Sequence, residues 1–349
     1  MNGKIINNFE PYIMRLKVYN DKDIYYGNCW YGAFMTVANA FGRDVTSIIN
    51  NAIYIYLFNE ERVNSFGYFF IRATDARDLR GLLPELGIMA KTSFPDPETV
   101  HEEIRKSIDA GYPVAICIDL FYQPGRNAYY QKRHGGGHML LIYGYDTDEN
   151  LYYTVDDVIG LNKYTLTFEQ LYLAYKGNFD FCDFKFGEAE LFFNFTIGPI
   201  PDTSNSDEKS SLNPHLREFA RNMLEGKEKM MSSLKCIDQF ADVYERVSKS
   251  DDIIQLLSFI INGKMAEHYR LLYLKELGLE HEDLQSRINS LYTEIVGDWN
   301  KVRISTAQTL FTDKEKKDRN TNVVDIIKGI YQKENRCYEL VFELVEKFR

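Results

Sequence analysis

The strongest constraint on the fold is an abrupt change of pattern at residues 199–213. This stretch holds two prolines, several serines and few apolar residues, a composition typical of a linker. Before it, short strand-like and helix-like patterns alternate, whereas after it apolar residues recur at three- and four-residue spacing almost to the end. We therefore predict a mixed domain over residues 1–200, a linker over 201–213 and an all-α helical bundle over 214–349.

A cysteine stands at the start of the first strongly periodic segment. From Cys29 onwards, apolar residues fall on one helical face until Gly42, which predicts a helix that begins at the cysteine. The unpaired N–H groups and the dipole at a helix start favour the thiolate, the reactive form of the side chain. An isolated free cysteine is more often a small buried apolar residue, so the position of Cys29 alone does not identify a nucleophile.

Two predicted strands carry the groups that such a nucleophile needs. His138 opens an apolar run predicted as a buried strand, and Asp156 closes the next strand, which begins at Leu151. Adjacent antiparallel strands of this kind bring the two side chains together. Nucleophilic cysteine chemistry requires a base for the thiol proton and a third group that orients the base, so we predict Cys29, His138 and Asp156 as the catalytic residues.

Each of the two supporting roles has an alternative candidate. His134 could replace His138 as the base, but it precedes three flexible glycines, whereas His138 adjoins the strand. Asp157 could replace Asp156, and strand alternation does not decide which of the two points inward.

The loop at residues 121–137 is long and rich in glycine and tyrosine, which is typical of a lid or substrate wall and also of a plain solvated connector. Arg126 or Arg133 could meet a phosphate group. The candidate substrate-contact residues of the whole site are Asn28, Trp30, Tyr122, Arg126, Tyr130, His134 and Asp157.

The remaining patterns of the first domain complete a mixed α and β unit. Apolar spacing predicts helices over residues 44–58, 75–86 and 98–110, and a buried strand over 112–120.

Three of these motifs together resemble a known family. The stretch 27–30, Gly-Asn-Cys-Trp, resembles the papain-type cysteine motif, and the phrases at 111–119 and 135–146 are similar to a branch that joins double-glycine leader peptidases to acyltransferases of the butirosin biosynthesis protein H type. We favour the acyltransferases. The resemblance covers roughly residues 10–200 and implies an α+β papain-like (cysteine-proteinase-like) domain. It also implies transfer of an acyl group from the phosphopantetheine thioester of an acyl or peptidyl carrier protein to the amine of a small molecule.

One position departs from the papain pattern. Papain-like enzymes carry a glutamine about six residues before the cysteine as an oxyanion-hole donor, and Asp23 stands there. An ionised aspartate cannot donate a hydrogen bond. The donor is then Asn28, the backbone N–H of Cys29 or a residue of another loop, unless the alignment slips by a few residues. The same departure would also suit a papain-like scaffold without activity.

The composition of the chain limits the kinds of molecule that it is expected to bind and the compartment in which it works. The formal charge of −10 and the lack of a basic stripe argue against nucleic acid, and an acidic surface suits a polyamine or other amine substrate as well as simple solubility. Five cysteines without paired spacing indicate a reducing compartment, and no metal or cofactor motif is present. The sequence shows no signal peptide or membrane span, so we expect a cytoplasmic protein. The helical domain could cover the active site, close over an acyl chain or form a homodimer.

The same three catalytic groups would also serve a hydrolase. A cysteine peptidase or thioesterase differs from an acyltransferase only in whether water or an amine reaches the acyl-enzyme, and the sequence leaves these alternatives open.

Overall fold

The computed structural model describes residues 3–62, 68–157, 161–181, 192–201, 213–250, 252–278, 281–311 and 317–348. The strands, in chain order, are β1 Gly3–Ile5, β2 Met14–Arg15, β3 Asp23–Ile24, β4 Ala52–Phe58, β5 Phe69–Asp75, β6 Ile88–Ser93, β7 Val114–Ile118, β8 His138–Asp146, β9 Leu151–Asp156, β10 Asn162–Thr167 and β11 Phe192–Ile197. The helices are α1 Cys29–Ala40, α2 Thr46–Asn51, α3 Leu79–Leu82, α4 Val100–Asp109, α5 Phe168–Phe181, α6 Pro214–Ser233, α7 Lys235–Val247, α8 Ile253–Glu276, α9 Glu282–Phe311 and α10 Lys317–Val345.

The chain is mixed α/β, with a sheet-rich N-terminal part and a helical C-terminal part, as predicted. Internal contacts divide it into two compact units, and each unit is built from three separate segments of the chain. The first unit contains Met1–Ile13, Asn28–Ile48 and Asp78–Asp207, and the second contains Met14–Gly27, Ile49–Arg77 and Glu208–Arg349. The boundaries predicted from the sequence remain a prediction, since residues 202–212 of the predicted linker lie outside the described residues.

The first unit is built on an antiparallel sheet. Six strands follow the order β10-β9-β8-β7-β11-β6, and β1 pairs with β8. Strand β7 holds five buried apolar residues in succession, which explains its central place, because such a strand must be covered on both faces. Helix α1 packs on β8 and β9, and α5 packs on β7. In the sheet register, Ile118 of β7 pairs with His138 of β8, and Leu141 of β8 pairs with Val155 of β9. These pairs fix the positions at which β8 begins and β9 ends.

One predicted helix is wrong. Residues 44–58 form the short helix α2 and then strand β4, which pairs with β5 from Ala52 and Asp75 to Phe58 and Phe69. Residues 52–56 are all buried, so the strand lacks the alternation of apolar and polar residues that would identify it. Its β-branched and aromatic side chains favour a pleated strand over a helix. The predicted helix over 75–86 is also shorter, since α3 gives way to a 3-10 turn at Leu83–Leu86.

The second unit combines helices α6 to α10 with the β4–β5 hairpin. Two glycines let helices approach the hairpin closely: a Cβ on Gly226 of α6 would lie 2.6 Å from the side chain of Ile53, and one on Gly263 of α8 would collide with Ile71. Helices α6 and α7 meet at Leu234, which ends the first helix and precedes the second. Across the described helices, none is both long and apolar enough to traverse a bilayer.

A cluster of charges is buried in this unit. The Nζ atom of Lys264 lies 2.7 Å from Glu334 Oε2 and also pairs with Glu267, and all three side chains are inaccessible to solvent. Tyr56 donates to Glu334 Oε1 at 2.6 Å, and Tyr338 donates to Glu267 Oε1 at 3.0 Å. Burial alone would lower the pKa of Lys264, but the charges of Glu267 and Glu334 outweigh it and raise that pKa well above its usual range.

Candidate active site

Cys29 is the first residue of α1, as the sequence predicted. Asn28 precedes it in an extended conformation, and its Oδ1 atom accepts hydrogen bonds from the N–H groups of Trp30 at 2.9 Å and Tyr31 at 3.4 Å. Asn28 is therefore the N-cap of the helix. The cap fixes the direction of the first turn and hence the place of the Cys29 side chain.

The thiol of Cys29 meets the beginning of strand β8. The backbone N–H of Met139 donates to Cys29 Sγ at 3.4 Å. The paired register of β8 and β9 starts two residues further on, at Leu141 and Val155, which leaves this N–H group to the sulfur. A backbone donor aimed at the sulfur stabilises negative charge there, which is the charge that a nucleophilic thiolate carries.

His138 and Asp156 lie beside each other at the same end of the sheet. His138 Nε2 is 2.7 Å from Asp156 Oδ1, and their side chains are 10% and 1% exposed. Burial alone would lower the pKa of His138, but the charge of Asp156, the hydrogen bond to it and the interaction with Cys29 raise that pKa well above its usual range. Because Nε2 is directed at Asp156, Nδ1 is the ring nitrogen left for the thiol.

The structure distinguishes the alternatives that the sequence left open. Asp157 Oδ1 is 3.5 Å from His138 Nε2, against 2.7 Å for Asp156, so Asp156 is the nearer partner of the imidazole. His134 is bound elsewhere, since its Nδ1 lies 2.6 Å from the buried carboxylate of Asp119. These distances favour His138 and Asp156 as the predicted base and orienting group.

Both oxygens of Asp156 are held by donors. Gln123 Nε2 donates to Oδ2, while Arg126 Nη2 at 2.7 Å and the backbone N–H of Asp157 at 2.6 Å donate to Oδ1, together with His138. Burial alone would raise the pKa of Asp156, but the charge of His138 and its hydrogen bond, then Arg126 and Asp157, lower it well below its usual range. The carboxylate is therefore ionised and fixed in orientation.

Arg126 occupies a place that the sequence did not indicate. Its guanidinium pairs with both Asp156 and Asp157, its Nε donates to Gln123 Oε1 at 3.1 Å, and its Nη2 also lies 2.7 Å from His138 Nε2. The side chain is 15% exposed. Arg126 thus supports the acid of the site, and its contact with a substrate phosphate stays a prediction.

His138, Asp156 and Asp157 together offer atoms that could bind a cation. Ligand atoms of His138, Asp156 and Asp157 lie within 4.8 Å of one another. Arg126 already donates to both carboxylates, so the positive charge that these groups attract comes from a side chain of the protein.

Gln123 is a site residue that sequence analysis missed. It is 2% exposed, and its amide joins Arg126 to Asp156. Its only sequence signal is its place shortly after a buried strand, three residues before Arg126, and that signal does not separate it from other loop residues.

The other residues predicted to contact a substrate make the following contacts within the protein. The ring of Trp30 meets Phe193 edge to face at a centroid distance of 5.1 Å. Tyr122 contacts His134, and the backbone N–H of Tyr130 donates to Arg126 O at 2.7 Å. Their contact with a substrate, like that of Asn28, stays a prediction.

Replacing Asp156 with asparagine is expected to destabilise the protein most between about pH 4 and about pH 6.5. The raised pKa of His138 stabilises the native state below the ordinary histidine pKa, and this contribution is lost as the pH rises through the raised value. The lowered pKa of Asp156 stabilises it above the ordinary aspartate pKa, and this contribution is lost as the pH falls through the lowered value. Asparagine removes both contributions.

Thermal unfolding of the two proteins across the pH range checks this expectation. A difference in melting temperature that is the same at every pH would contradict a charged His138–Asp156 pair.

Comparison with known protein families identifies part of the chain. Residues 40–157 match the family model described as Butirosin biosynthesis protein H, N-terminal, whereas no curated protein matches the sequence. The matched range contains His138 and Asp156 and begins eleven residues after Cys29. Over these residues, the match confirms the resemblance to butirosin biosynthesis protein H that the sequence indicated.

Proposed function

We propose that this protein is a cysteine-dependent acyltransferase of natural-product biosynthesis. The observation that carries the proposal is the convergence of three groups: Cys29 at a helix start under the N–H of Met139, His138 interacting with that thiol, and Asp156 holding the far side of the imidazole. A nucleophile, a base and an orienting acid in this relation are the machinery of covalent acyl transfer. The family match supports a biosynthetic role, and we further propose a papain-like fold for the catalytic part.

The first half of the reaction forms an acyl-enzyme. The proton of the Cys29 thiol lies on His138, whose pKa is raised, and the thiolate sulfur attacks the thioester carbonyl of the donor. The tetrahedral intermediate then collapses, the carbon–sulfur bond to the donor breaks, and the donor thiolate leaves with the proton from His138. The products are a free donor thiol and an acyl group in thioester linkage to Cys29.

The second half transfers the acyl group to an amine. The amine nitrogen attacks the carbonyl of acyl-Cys29, His138 accepts the proton that the nitrogen loses, and the carbon–sulfur bond to Cys29 breaks. The proton stays on His138 beside the released thiolate, which leaves an amide product and the starting thiolate–imidazolium pair. Asp156 keeps Nδ1 of the imidazole directed at the sulfur and stabilises the imidazolium that forms in each half.

The oxyanion of each intermediate needs donors. As the first residue of α1, Cys29 has a backbone N–H without a partner inside the helix. Asn28 uses its Oδ1 as the helix cap, which leaves its amide nitrogen as a second candidate. Asp23, at the position of the papain glutamine, accepts from Arg15 Nε at 2.6 Å and cannot act as a donor. We propose the Cys29 N–H and the Asn28 amide, each of which would contribute about 100- to 1000-fold in rate.

The substrates follow from the same proposal. The donor is the phosphopantetheine thioester of an acyl or peptidyl carrier protein, and the acceptor is a small amine or polyamine, which the net charge of −10 would attract. The protein would work in the cytoplasm, where such thioesters are made.

Product analysis tests the proposal. The purified protein is incubated with an acyl-pantetheine thioester in the presence and absence of a polyamine, and the amide, the free acid and the free thiol are quantified. We expect amide formation that depends on the amine, with slow release of free acid in its absence. Release of free acid at the same rate with and without amine would show a hydrolase, and no release of thiol in either case would favour an inactive scaffold.

A further inference from the structure

A second histidine–aspartate pair lies outside the three catalytic groups. Asp119 is the first residue after strand β7, and its carboxylate is completely buried. Its Oδ2 lies 2.6 Å from His134 Nδ1, and its Oδ1 accepts from the backbone N–H groups of Gly135 at 2.8 Å and Phe121 at 3.1 Å. A buried carboxylate without partners costs several kcal/mol, and these three contacts offset that cost.

These donors come from the two ends of one loop. We define the 119–137 loop as the segment between β7 and β8. Asp119 and Phe121 are at its start, His134 and Gly135 are at its end, and the N–H of Leu120 adds a hydrogen bond to Gly135 O at 3.0 Å. One carboxylate thus ties the start of the loop to its end. A loop of this length would otherwise sample many conformations.

The 119–137 loop carries residues that act on the candidate active site. Gln123 and Arg126, both in its middle, donate to Asp156. Its last three residues are glycines that lead directly into His138, and the N–H of Gly137 donates to Asn178 Oδ1 at 3.1 Å. The position of the loop ends therefore decides where Gln123, Arg126 and the backbone of His138 lie.

The side chains around His134 hold its imidazole ring in a fixed orientation, from which Nδ1 can donate a hydrogen bond to Asp119. Its imidazole lies between the rings of Phe121 and Phe181, at centroid distances of 4.4 and 4.2 Å and within 20° of parallel. Among the residues that the structure describes, Nε2 of this ring makes no hydrogen bond, so the polar contact of His134 is the one through Nδ1 to Asp119.

The packing around Asp119 leaves little room for another arrangement. A Cβ on Gly177 of α5 would lie 2.8 Å from Asp119 Oδ2, and a Cβ on Gly135 would lie 2.7 Å from the ring of Tyr129. The absence of a side chain at Gly177 lets α5 approach the carboxylate, and the absence of one at Gly135 lets the Tyr129 ring pack against the end of the loop.

We propose that Asp119 and His134 form a clasp that positions the 119–137 loop and, through Gln123 and Arg126, the Asp156–His138 pair. His134, one of two candidate bases in the sequence, is in this view a positioning residue that reacts with no substrate. The catalytic part of this inference rests on the proposed acyltransfer function, whereas the positioning itself concerns the reactivity of Cys29.

Two substitutions of His134 separate the donor from the ring. His134→Asn keeps an N–H that can donate to Asp119 but removes the stacked ring, and His134→Phe keeps a ring between Phe121 and Phe181 but removes the donor. We measure the pH profile of Cys29 alkylation by iodoacetamide, and kcat and KM for acyl transfer. His101→Phe is the matched control, because His101 also bonds a buried partner, Tyr152 OH at 2.8 Å, away from the loop.

The clasp predicts that His134→Phe lowers kcat about a hundredfold with little change in KM, since a misplacement of about 1 Å costs that much. It also predicts that the alkylation profile of this variant shifts toward that of Asp156→Asn, while His134→Asn and His101→Phe stay close to the wild type. Should His134→Phe not fold, Asp119→Asn takes its place, with the same expected shift.

The proposal is overturned if the folded donor-less variant has the wild-type profile, or if His134→Asn is impaired and His134→Phe is not. If only the proposed acyltransfer function is wrong, the wild type and the variants would still show the predicted alkylation profiles. The wild type would then release no thiol from a thioester.

Discussion

Replacing Cys29 with alanine is expected to reduce acyl transfer by about 10⁴- to 10⁶-fold, since loss of the nucleophile from a catalytic triad has effects of this size. The helix start, Met139 N–H and the His138–Asp156 pair would remain in the variant, but no covalent intermediate could form. Steady-state release of thiol from an acyl-pantetheine thioester measures the effect.

Two further variants make this result specific. Cys29→Ser keeps the size of the side chain and is also expected to lose most activity, because a hydroxyl is a weaker nucleophile than a thiol at neutral pH. Cys236→Ala, at a buried cysteine of α7 in the second unit, is expected to keep it. Full activity of a folded Cys29→Ala protein would remove this residue from the mechanism.

Replacing Lys264 with methionine is expected to destabilise the second unit by about 3–5 kcal/mol, the usual effect of breaking a buried ion pair on one side. The side chain keeps its length, but Glu267 and Glu334 remain buried without the ammonium group that neutralises them. Urea unfolding followed by circular dichroism measures the loss.

The compound variant Lys264→Met, Glu267→Gln, Glu334→Gln separates the effect of the buried charges on stability from the effect of packing. Its amides can still accept from Tyr56 and Tyr338, so we expect it to recover much of the stability. Lys229→Met, at an exposed lysine of α6, is the control and should change little. A similar loss in the single and the compound variants would show that packing, and not charge, decides the effect.

The sequence was sufficient to predict the elements that carry the candidate catalytic residues. The apolar spacing after Cys29 predicted the start of α1, because a helix covered on one face keeps a visible period. The positions of His138 and Asp156 at the ends of predicted strands followed from the turns that bound those strands. These signals are local, so they can be read without knowledge of the tertiary structure.

Other features could not be predicted because they depend on contacts between distant segments. Strand β4 was predicted as a helix, since continuous burial over residues 52–56 removes the alternation that marks a strand. The pairing of Arg126 with Asp156 and Asp157 had no signal in the sequence, and its contact with a substrate phosphate stays a prediction. The local signal of Gln123, a place shortly after a buried strand, does not separate it from other loop residues. Its role exists only because the 119–137 loop returns to the end of β9.

The most direct test of the central claim is to trap the acyl group on the protein. The wild type is mixed with an acyl-pantetheine thioester without amine, quenched in acid, digested, and analysed by mass spectrometry for the acylated cysteine peptide. Our account predicts the acyl mass on the peptide that contains Cys29, its loss when a polyamine is added before the quench, and no such adduct in Cys29→Ala. Acylation confined to peptides that contain other cysteines would contradict it.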